Sequence, residues 1–216
     1  MRTIKKKILH EEIADNLREM MMSGELREGD KIKENELCEL MGISKTPLRE
    51  ALRVLSAEGL IRLIPNRGSY VTTPTFEEIK EMFDVMCVLE GACARAAVEK
   101  MDDGDLSKLE KLHNRLEEQY RCRDQKEYIH QNNSYHALVQ ELAGNKTLNQ
   151  IVNGLRQKIL LYRFQSLNLP GRFEHSIQEH RDLLAAFRDR DPEKAEMLMK
   201  SHLKKQCDAL EKLAKL

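Results

Sequence analysis

The sequence has no tryptophan, and tyrosine and phenylalanine are scarce, so aromatic residues make up 5% of its 216 residues. Proteins that bind single strands without sequence preference stack bases on aromatic side chains, and this scarcity argues against that class. The chain also lacks a hydrophobic run long enough to span a bilayer and lacks the hydrophobic segment of a signal peptide. We therefore expect neither a membrane protein nor a secreted one.

Charge of one sign is not in excess either, because 36 basic residues balance 36 acidic ones. A neutral chain has no general affinity for polyanions, so any nucleic-acid binding must come from a local surface. The five cysteines include no C-x-x-C pair. Such spacing is typical of free thiols in a reducing compartment, which predicts a cytoplasmic protein.

The strongest structural signal lies between Asn35 and Thr73. It begins with a predicted short helix, Asn35 to Leu40, whose apolar positions are Leu37 and Leu40, followed by a turn at Gly42. A second helix follows, with Ser44 as its predicted N-cap and Gly59 at its end. Its apolar positions repeat at helical spacing: Leu48, Leu52 and Leu55.

Two short extended runs come next, 60–64 and 69–73, joined by a turn at 65–68. Two helices at a glycine-containing turn followed by a hairpin predict a winged helix-turn-helix. An amphipathic helix, Ile8 to Ser23, precedes them and is expected to pack behind the pair. The basic segment Arg2 to Lys7 is either an arm that contacts DNA or a solvated tail.

The second helix presents a basic, polar face that suits double-stranded DNA. Residues 41–74 carry five Lys or Arg against two Glu, although the whole chain is neutral. Arginine pairs bidentately with guanine, while hydroxyl and backbone N–H groups at a helix start suit phosphate oxygens. The alternative is a small helical domain with a solvated basic face. The predicted DNA-binding residues are Ser44, Lys45, Thr46, Arg49, Arg53, Arg67 and Gly68.

Strand character stops near Thr73-Pro74, which divides the chain into a DNA-binding domain, 1–74, and a helical domain, 75–216. The second domain is predicted to be an all-helical antiparallel bundle for ligand binding and dimerisation, so the fold class is mainly α. Its six predicted helices are Phe76 to Met101, Leu106 to Cys122, Gln125 to Ala143, Leu148 to Ser166, Phe173 to Arg188, and a last one from Asp191-Pro192 to the C-terminus.

Three histidines, His136, His180 and His202, lie on or beside the apolar stripes of separate predicted helices, and Asn132 shares a face with His136. Three imidazoles and an oxygen ligand would suit zinc or nickel. Spacing alone favours separate core or surface histidines.

The N-terminal motifs resemble a known family. ISKTPLREALRVLSAEGLIRLIPNRGSYV resembles the signature of GntR-type transcription regulators, and SGELREGDKIKENEL resembles the segment before it, with Glu28 in place of the usual proline. Lys45 stands where arginine is common, so a contact there would be closer to a point charge than a bidentate fork. Asn35 occupies a position where some members carry another DNA-contacting arginine.

The second domain resembles the FCD ligand-binding domain of the FadR branch of that family, at VLEGACARAAVEK, NNSYHALVQELAGN and SIQEHRDLLAAFRDRDPEKAEMLMKSHL. Many members bind a divalent metal through an Asp and three His. The resemblance implies His136, His180 and His202 as ligands, with Asn132 in the place of the Asp. An amide oxygen is uncharged, so weaker metal binding is expected.

The resemblance also implies a small-molecule effector, often an organic acid. The arginine that clamps such acids in many relatives is replaced here by Met86. Arg95, Arg156 and Arg163 are the alternatives for a carboxylate, and direct coordination to the metal is another. The effector residues stay open at this point.

We therefore expect a transcription regulator that binds an inverted-repeat operator as a homodimer and responds to a metabolite. A second hypothesis is a metal-dependent helical enzyme fused to a DNA-binding module, with Glu179 as general base. Its weakness is that no G-x-S-x-G, Walker or H-E-x-x-H motif occurs, and Glu179 is predicted to face away from His180. A third is a DNA-organising protein without a ligand.

Overall fold

A computed structural model describes residues 9–72 and 74–215, apart from the side chains of 161, 164 and 214. The described residues divide into two compact units between Thr75 and Phe76. Helices dominate both units, which confirms the mainly α fold class. The predicted arm, Arg2 to Lys7, and the first residue of the predicted first helix, Ile8, lie outside the described residues.

The first unit is a winged helix-turn-helix, as predicted. Its core is apolar, with Leu17, Leu48 and Leu55 fully buried. The apolar face of α1 packs against α3 and leaves the opposite face of α3 in solvent. The elements are α1 Leu9–Ser23, α2 Glu34–Met41, α3 Lys45–Ala57, β1 Ile61–Ile64 and β2 Gly68–Val71.

The turn between α2 and α3 follows from its sequence. Gly42 ends α2 in the left-handed region, at φ 65°, where a glycine has no Cβ to clash. Ser44 is the extended N-cap residue of α3, but its side chain makes no capping hydrogen bond, so the predicted cap is correct in position only. Leu40, the other apolar position of this helix, is 72% exposed, because the eight-residue helix buries only the side that carries Leu37.

The wing is an antiparallel hairpin in which Ile61 pairs with Val71 and Ile64 with Gly68. Asn66 takes a positive φ of 60° in its turn. The segment before α2 adds to this sheet, since Ile32 donates to the Ser69 carbonyl at 2.8 Å and Lys31 forms a bridge with Tyr70. The sequence pattern did not predict this extra edge, which places Lys31 beside the wing.

The second unit contains six described helices, which confirms the all-helical prediction: α4 Phe76–Lys100, α5 Asp103–Cys122, α6 Gln125–Leu142, α7 Lys146–Ser166, α8 Arg172–Arg188 and α9 Pro192–Ala214. The predicted interruption at 102–105 exists but is shorter, since only residues 101 and 102 separate α4 from α5. Asp102 and Asp105 form a reciprocal capping box, so α5 begins at Asp103 rather than at Leu106.

The central helix of this unit is α4, which packs against α6, α7 and α9. Gly91 allows a close approach of α4 to α9, because a Cβ there would lie 2.8 Å from Lys200 Cγ. Apolar side chains of α4, α6, α8 and α9 form the main core, including Ala94, Tyr135, Leu183 and Met199. Several buried polar side chains, among them His136, His180 and His202, lie among these helices.

Candidate DNA-binding surface and metal centre

All seven predicted DNA-binding residues are exposed. A groove of about 530 Å³ runs between α2, the start of α3 and the wing tip, and its lining includes Lys45, Arg49, Arg67 and Gly68. A neighbouring groove along α3 and the hairpin is lined by Arg49 and Arg53. Ser44 and Thr46 stand at the start of α3 and line neither groove. Five of the seven residues thus line one continuous basic surface.

The structure adds two residues to this surface that sequence reasoning missed. Lys31 lines the first groove, with its side chain over Gly68 of the wing tip. Glu34 lines both grooves and accepts a hydrogen bond from Arg49 Nε at 2.9 Å. Arg49, one of the predicted DNA-binding residues, is therefore paired with an acidic neighbour in this structure. In the sequence, Glu34 was visible only as a glutamate of the motif SGELREGDKIKENEL.

The three predicted histidines meet inside the second unit. His136 on α6, His180 on α8 and His202 on α9 are each at most 1% exposed. One ring nitrogen from each lies within 4.8 Å of the others, and the ring centroids are 4.9–5.4 Å apart. Spacing alone favoured separate histidines, and that interpretation is wrong, because three helices converge on one point.

Two buried carboxylates orient two of these rings. His136 Nδ1 donates to Glu90 Oε2 and His202 Nδ1 donates to Glu179 Oε2, each at 2.7 Å. Within the described part of the chain, Nε2 of His136 and Nε2 of His202 are buried without a hydrogen-bond partner. A proton held on Nδ1 leaves a lone pair on Nε2, which is the arrangement of carboxylate–histidine–metal sites. The donor set therefore fits a divalent ion.

Neither carboxylate was predicted as a partner of the metal ligands, and Glu179 was considered only as the general base of the enzyme hypothesis. Glu90 was visible only as the glutamate of the VLEGACARAAVEK motif. Glu179 was expected to lie on a different face of its helix from His180. It does not bond His180, but α9 brings His202 to it, a contact that helical phase within α8 cannot reveal.

Burial and the nearby positive charges keep the three imidazoles of this cluster in their neutral form. Burial lowers the pKa of His136 to about 3, and the nearby Arg156 guanidinium adds to the effect. Burial also lowers the pKa of His180 and His202. Burial alone would raise the pKa of Glu90, but Arg156 and His136 outweigh it and hold that pKa below its usual range. Neutral imidazole is the form that binds metal.

Asn132 also lies in the cluster and is 2% exposed. Its amide nitrogen lies 2.7 Å from His180 Nε2, while its oxygen accepts from Nη2 of the buried Arg163. The oxygen that the resemblance offers as a fourth ligand is thus turned toward a guanidinium. Coordination by this oxygen requires rotation of the amide and loss of the Arg163 contact.

The three arginines considered for an effector carboxylate lie in different environments, and each is paired with protein side chains. Arg95 is on the surface, paired with Glu99, Glu193 and Glu196. Arg156 is held by Glu90 and Asn133, and Arg163 by Asn132, Asn133 and Gln206. Met86 is fully buried in an apolar cluster.

A winged helix-turn-helix joined to a helical domain with a buried histidine cluster defines a class of bacterial DNA-binding regulator. The gntR family of bacterial regulatory proteins matches residues 9–71, and the FCD domain family matches residues 81–205. The chain belongs to the GntR family of transcription regulators, and its second unit is an FCD domain.

Individual relatives agree with this assignment. The HTH-type transcriptional regulator YdhC of Bacillus subtilis is 25% identical over 91% of this chain and 88% of its own length. The gluconate operon transcriptional repressor of Bacillus licheniformis is 28% identical over 83% of this chain and 75% of its own length. The structure of Escherichia coli McbR/YncC, 22% identical, covers 99% of this chain and 100% of its own, with a TM-score of 0.81, and shares the fold. The chain is therefore a regulator and not an enzyme, which removes the hypothesis of a metal-dependent helical enzyme.

Proposed function

We propose that this protein is a cytoplasmic regulator of the FadR branch, with a DNA-binding domain over residues 1–74 and an effector-binding and dimerisation domain over 75–216. Its operator affinity responds to a small metabolite, such as an organic acid, bound in the second domain. The proposal of DNA binding is supported by the basic groove, which is lined by Lys45 and Arg49 of α3 and by Arg67 and Gly68 of the wing.

In this proposal α3 enters the major groove with its N-terminal half. Arg49 and Arg53 contact base edges or the adjacent phosphates, and Lys45 contacts a base or a phosphate as a point charge. Ser44 and Thr46, at the helix start, offer hydroxyl groups to phosphate oxygens. Arg67 and Gly68 bring the wing tip to a neighbouring part of the duplex. The exposure of all seven residues supports this assignment.

One recognition helix contacts too few base pairs for useful specificity, so we expect a homodimer that binds an inverted repeat. Sedimentation at micromolar concentration should give a dimer mass, and footprinting should give two half-sites related by twofold symmetry. A monomer that binds an asymmetric site with full affinity would contradict the proposal. Titrations with an operator half-site provide the matched control, because a dimer loses most of its affinity there.

We also propose that His136, His180 and His202 hold one divalent metal, with zinc or nickel as the preferred ions and Asn132 as a weak fourth ligand. The orphaned Nε2 atoms and the two carboxylates behind them support this site. A bound ion would supply a Lewis acid that can hold an oxygen of a ligand. Glu90 and Glu179 keep the two rings in the required tautomer whether or not an ion is bound.

Elemental analysis after dialysis against zinc or nickel tests the metal site. We expect up to one ion per chain in the parent, none in His180→Ala, and tighter binding in Asn132→Asp, because a carboxylate restores an anionic ligand. His180→Ala should also lose the rise in Tm that metal gives the parent, since an ion that binds only the folded state stabilises it. Equal metal content in all three proteins, or none in any of them, would show that these histidines are packing residues. His113→Ala is the control, because His113 is also buried but lies outside the cluster.

The metabolite part is tested by a thermal-shift screen on metal-analysed protein, followed by operator titrations with each hit. The screen should include gluconate, because a relative is a gluconate operon repressor. A ligand changes operator affinity only if it binds the DNA-competent and incompetent states differently. A DNA-organising protein without a ligand would show no selective shift with any metabolite and no change in operator affinity.

A further inference from the structure

A cavity of about 410 Å³ lies where α8 begins, apart from the metal ligands themselves. Its walls are the connection between α7 and α8, the first turns of α8 and the second half of α9. The volume is within the range of sites that hold small organic ligands. No residue predicted from the sequence as a DNA or metal contact lines it.

The cavity contains an arginine with open hydrogen-bond donors. Arg172 is only 4% exposed, and its Nη2 donates to Glu179 Oε2 at 2.9 Å. Its Nε and Nη1 are buried and have no partner among the described residues. Leaving buried guanidinium donors without partners costs free energy, so a ligand that supplies an acceptor at this position would be bound favourably. Arg156 and Arg163 differ from it, because protein side chains already hold them.

An open acceptor stands beside these donors. Glu179 Oε1 is also buried and makes no hydrogen bond within the described part of the chain, although Lys205 Nζ approaches it to 3.8 Å. The lining therefore offers two open donors on Arg172, an acceptor on Glu179 and a cation on the exposed Lys205. The charges of the lining balance, since Arg172, Lys205 and Lys212 face three carboxylates: Glu179, Asp182 and Asp208.

We propose that this cavity binds a small carboxylate that also carries a hydroxyl or ammonium group. Its carboxylate accepts a charge-assisted hydrogen bond from one of the two open Arg172 donors, Nε or Nη1, which lie on different edges of the guanidinium. Its hydroxyl or ammonium group donates to Glu179 Oε1. The balanced lining disfavours a polyphosphate, which would leave three carboxylates beside additional negative charge.

This inference rests on the proposed function, because it locates the effector of the same domain. Glu179 connects the two places, since its Oε2 accepts from His202 Nδ1 and its side chain also lines the cavity. A ligand on Oε1 therefore acts on the carboxylate that orients one proposed metal ligand. Occupancy of the cavity should change the metal affinity of the histidine cluster by this direct contact.

Isothermal titration of the full chain, stripped of metal with a chelator, tests the site. The probes are lactate, glycerate and serine, which carry a carboxylate and a donor. Propanoate lacks the donor and lactamide lacks the charge. We expect millimolar or tighter binding of at least one of the first three, weaker binding of propanoate and none of lactamide.

Variants then locate the bound probe. Arg172→Gln should weaken binding more than about tenfold, because truncating one partner of a buried charged pair raises the dissociation rate strongly. Lys205→Gln should weaken it a few-fold, and its matched control, Lys204→Gln, should leave it unchanged, since Lys204 is an exposed neighbour outside the cavity. The Lys205 pair keeps the test decisive if Arg172→Gln fails to fold.

Two results would overturn the proposal. In one, no carboxylate binds better than lactamide; in the other, binding is undiminished in both Arg172→Gln and Lys205→Gln. Operator titrations separate it from the proposed function. Regulation by a metabolite that persists in both variants leaves the function standing and rejects this cavity as the effector site. Binding that depends on Arg172 without any effect on operator affinity supports the cavity and rejects its ligand as the effector.

Discussion

The two units of this protein place their polar chemistry in opposite environments. The basic surface of the first unit is solvent-exposed, and its central Arg49 is 61% exposed on the side chain. The histidine cluster of the second unit is sealed among apolar helices, with side-chain exposures of 0–1% for His136 and Glu90. An exposed charge can exchange partners at little cost in free energy, whereas a buried charge that loses its partner destabilises the fold. We therefore expect DNA contacts to be separable from folding and the buried cluster to be inseparable from it.

The largest effect is expected for Glu90→Gln in α4. Glu90 accepts from both His136 and Arg156, so its neutralisation leaves a buried guanidinium without its counter-charge. Breaking such a pair costs about 3–5 kcal/mol, and loss of a carboxylate behind a ligand lowers metal affinity by about 10–100-fold. Urea unfolding of the metal-free protein measures the first quantity, and competition with a chelator measures the second.

Glu99→Gln is the matched control, because Glu99 lies on the same helix but in an exposed pair with Arg95. Its effect on the free energy of unfolding should stay within about 0.5 kcal/mol, as is usual for surface positions. Equal losses in the two variants would remove the contrast between buried and exposed charge.

The next effect is expected for Arg49→Ala, and it should appear in DNA binding alone. Loss of a bidentate base contact costs about 1–3 kcal/mol, enough to bring operator affinity toward the non-specific level, while the melting temperature should not change. Electrophoretic titration with operator and with unrelated DNA measures the specificity ratio.

Lys45→Ala and Arg115→Ala serve as comparisons for Arg49. Lys45→Ala should weaken binding less if it contacts only phosphate, and should flatten the dependence of log K on log salt by about one unit. Arg115→Ala, an exposed change in the second unit, should do neither. An operator footprint like that of the parent in both α3 variants would show that α3 is not the recognition helix.

The smallest effect is expected for Glu34→Gln. Glu34 accepts from Arg49 in the free protein, so DNA must displace a carboxylate from this arginine. Exposed pairs contribute about 0.2–1 kcal/mol, and removing this one should raise operator affinity by no more than that amount. Glu36→Gln, a change in the same helix at a residue paired with Lys33, controls for the general loss of negative charge near the DNA. Weaker operator binding in Glu34→Gln would mean that the carboxylate positions Arg49 rather than competing for it.

The sequence by itself determined the order and type of the elements. Apolar spacing, Gly42 and the hairpin residues are local signals, so they define the winged helix-turn-helix and the six helices of the second unit without knowledge of distant contacts. Local signals also placed the exposed basic residues, because exposure on one face of α3 follows from the apolar face opposite. Where they failed, as at the start of α5, the outcome depended on a reciprocal cap between Asp102 and Asp105.

Only the tertiary structure decided what the second unit brings together. His136, His180 and His202 lie on three helices, and no periodicity within one helix can reveal that their rings meet. The same is true of Glu90 behind His136 and of Glu179, which meets His202 on α9 rather than its neighbour His180. The open donors of Arg172 could not be predicted either, because an unpaired group is defined by everything that surrounds it. Sequence patterns report which face of an element is buried, whereas a site depends on which buried faces meet.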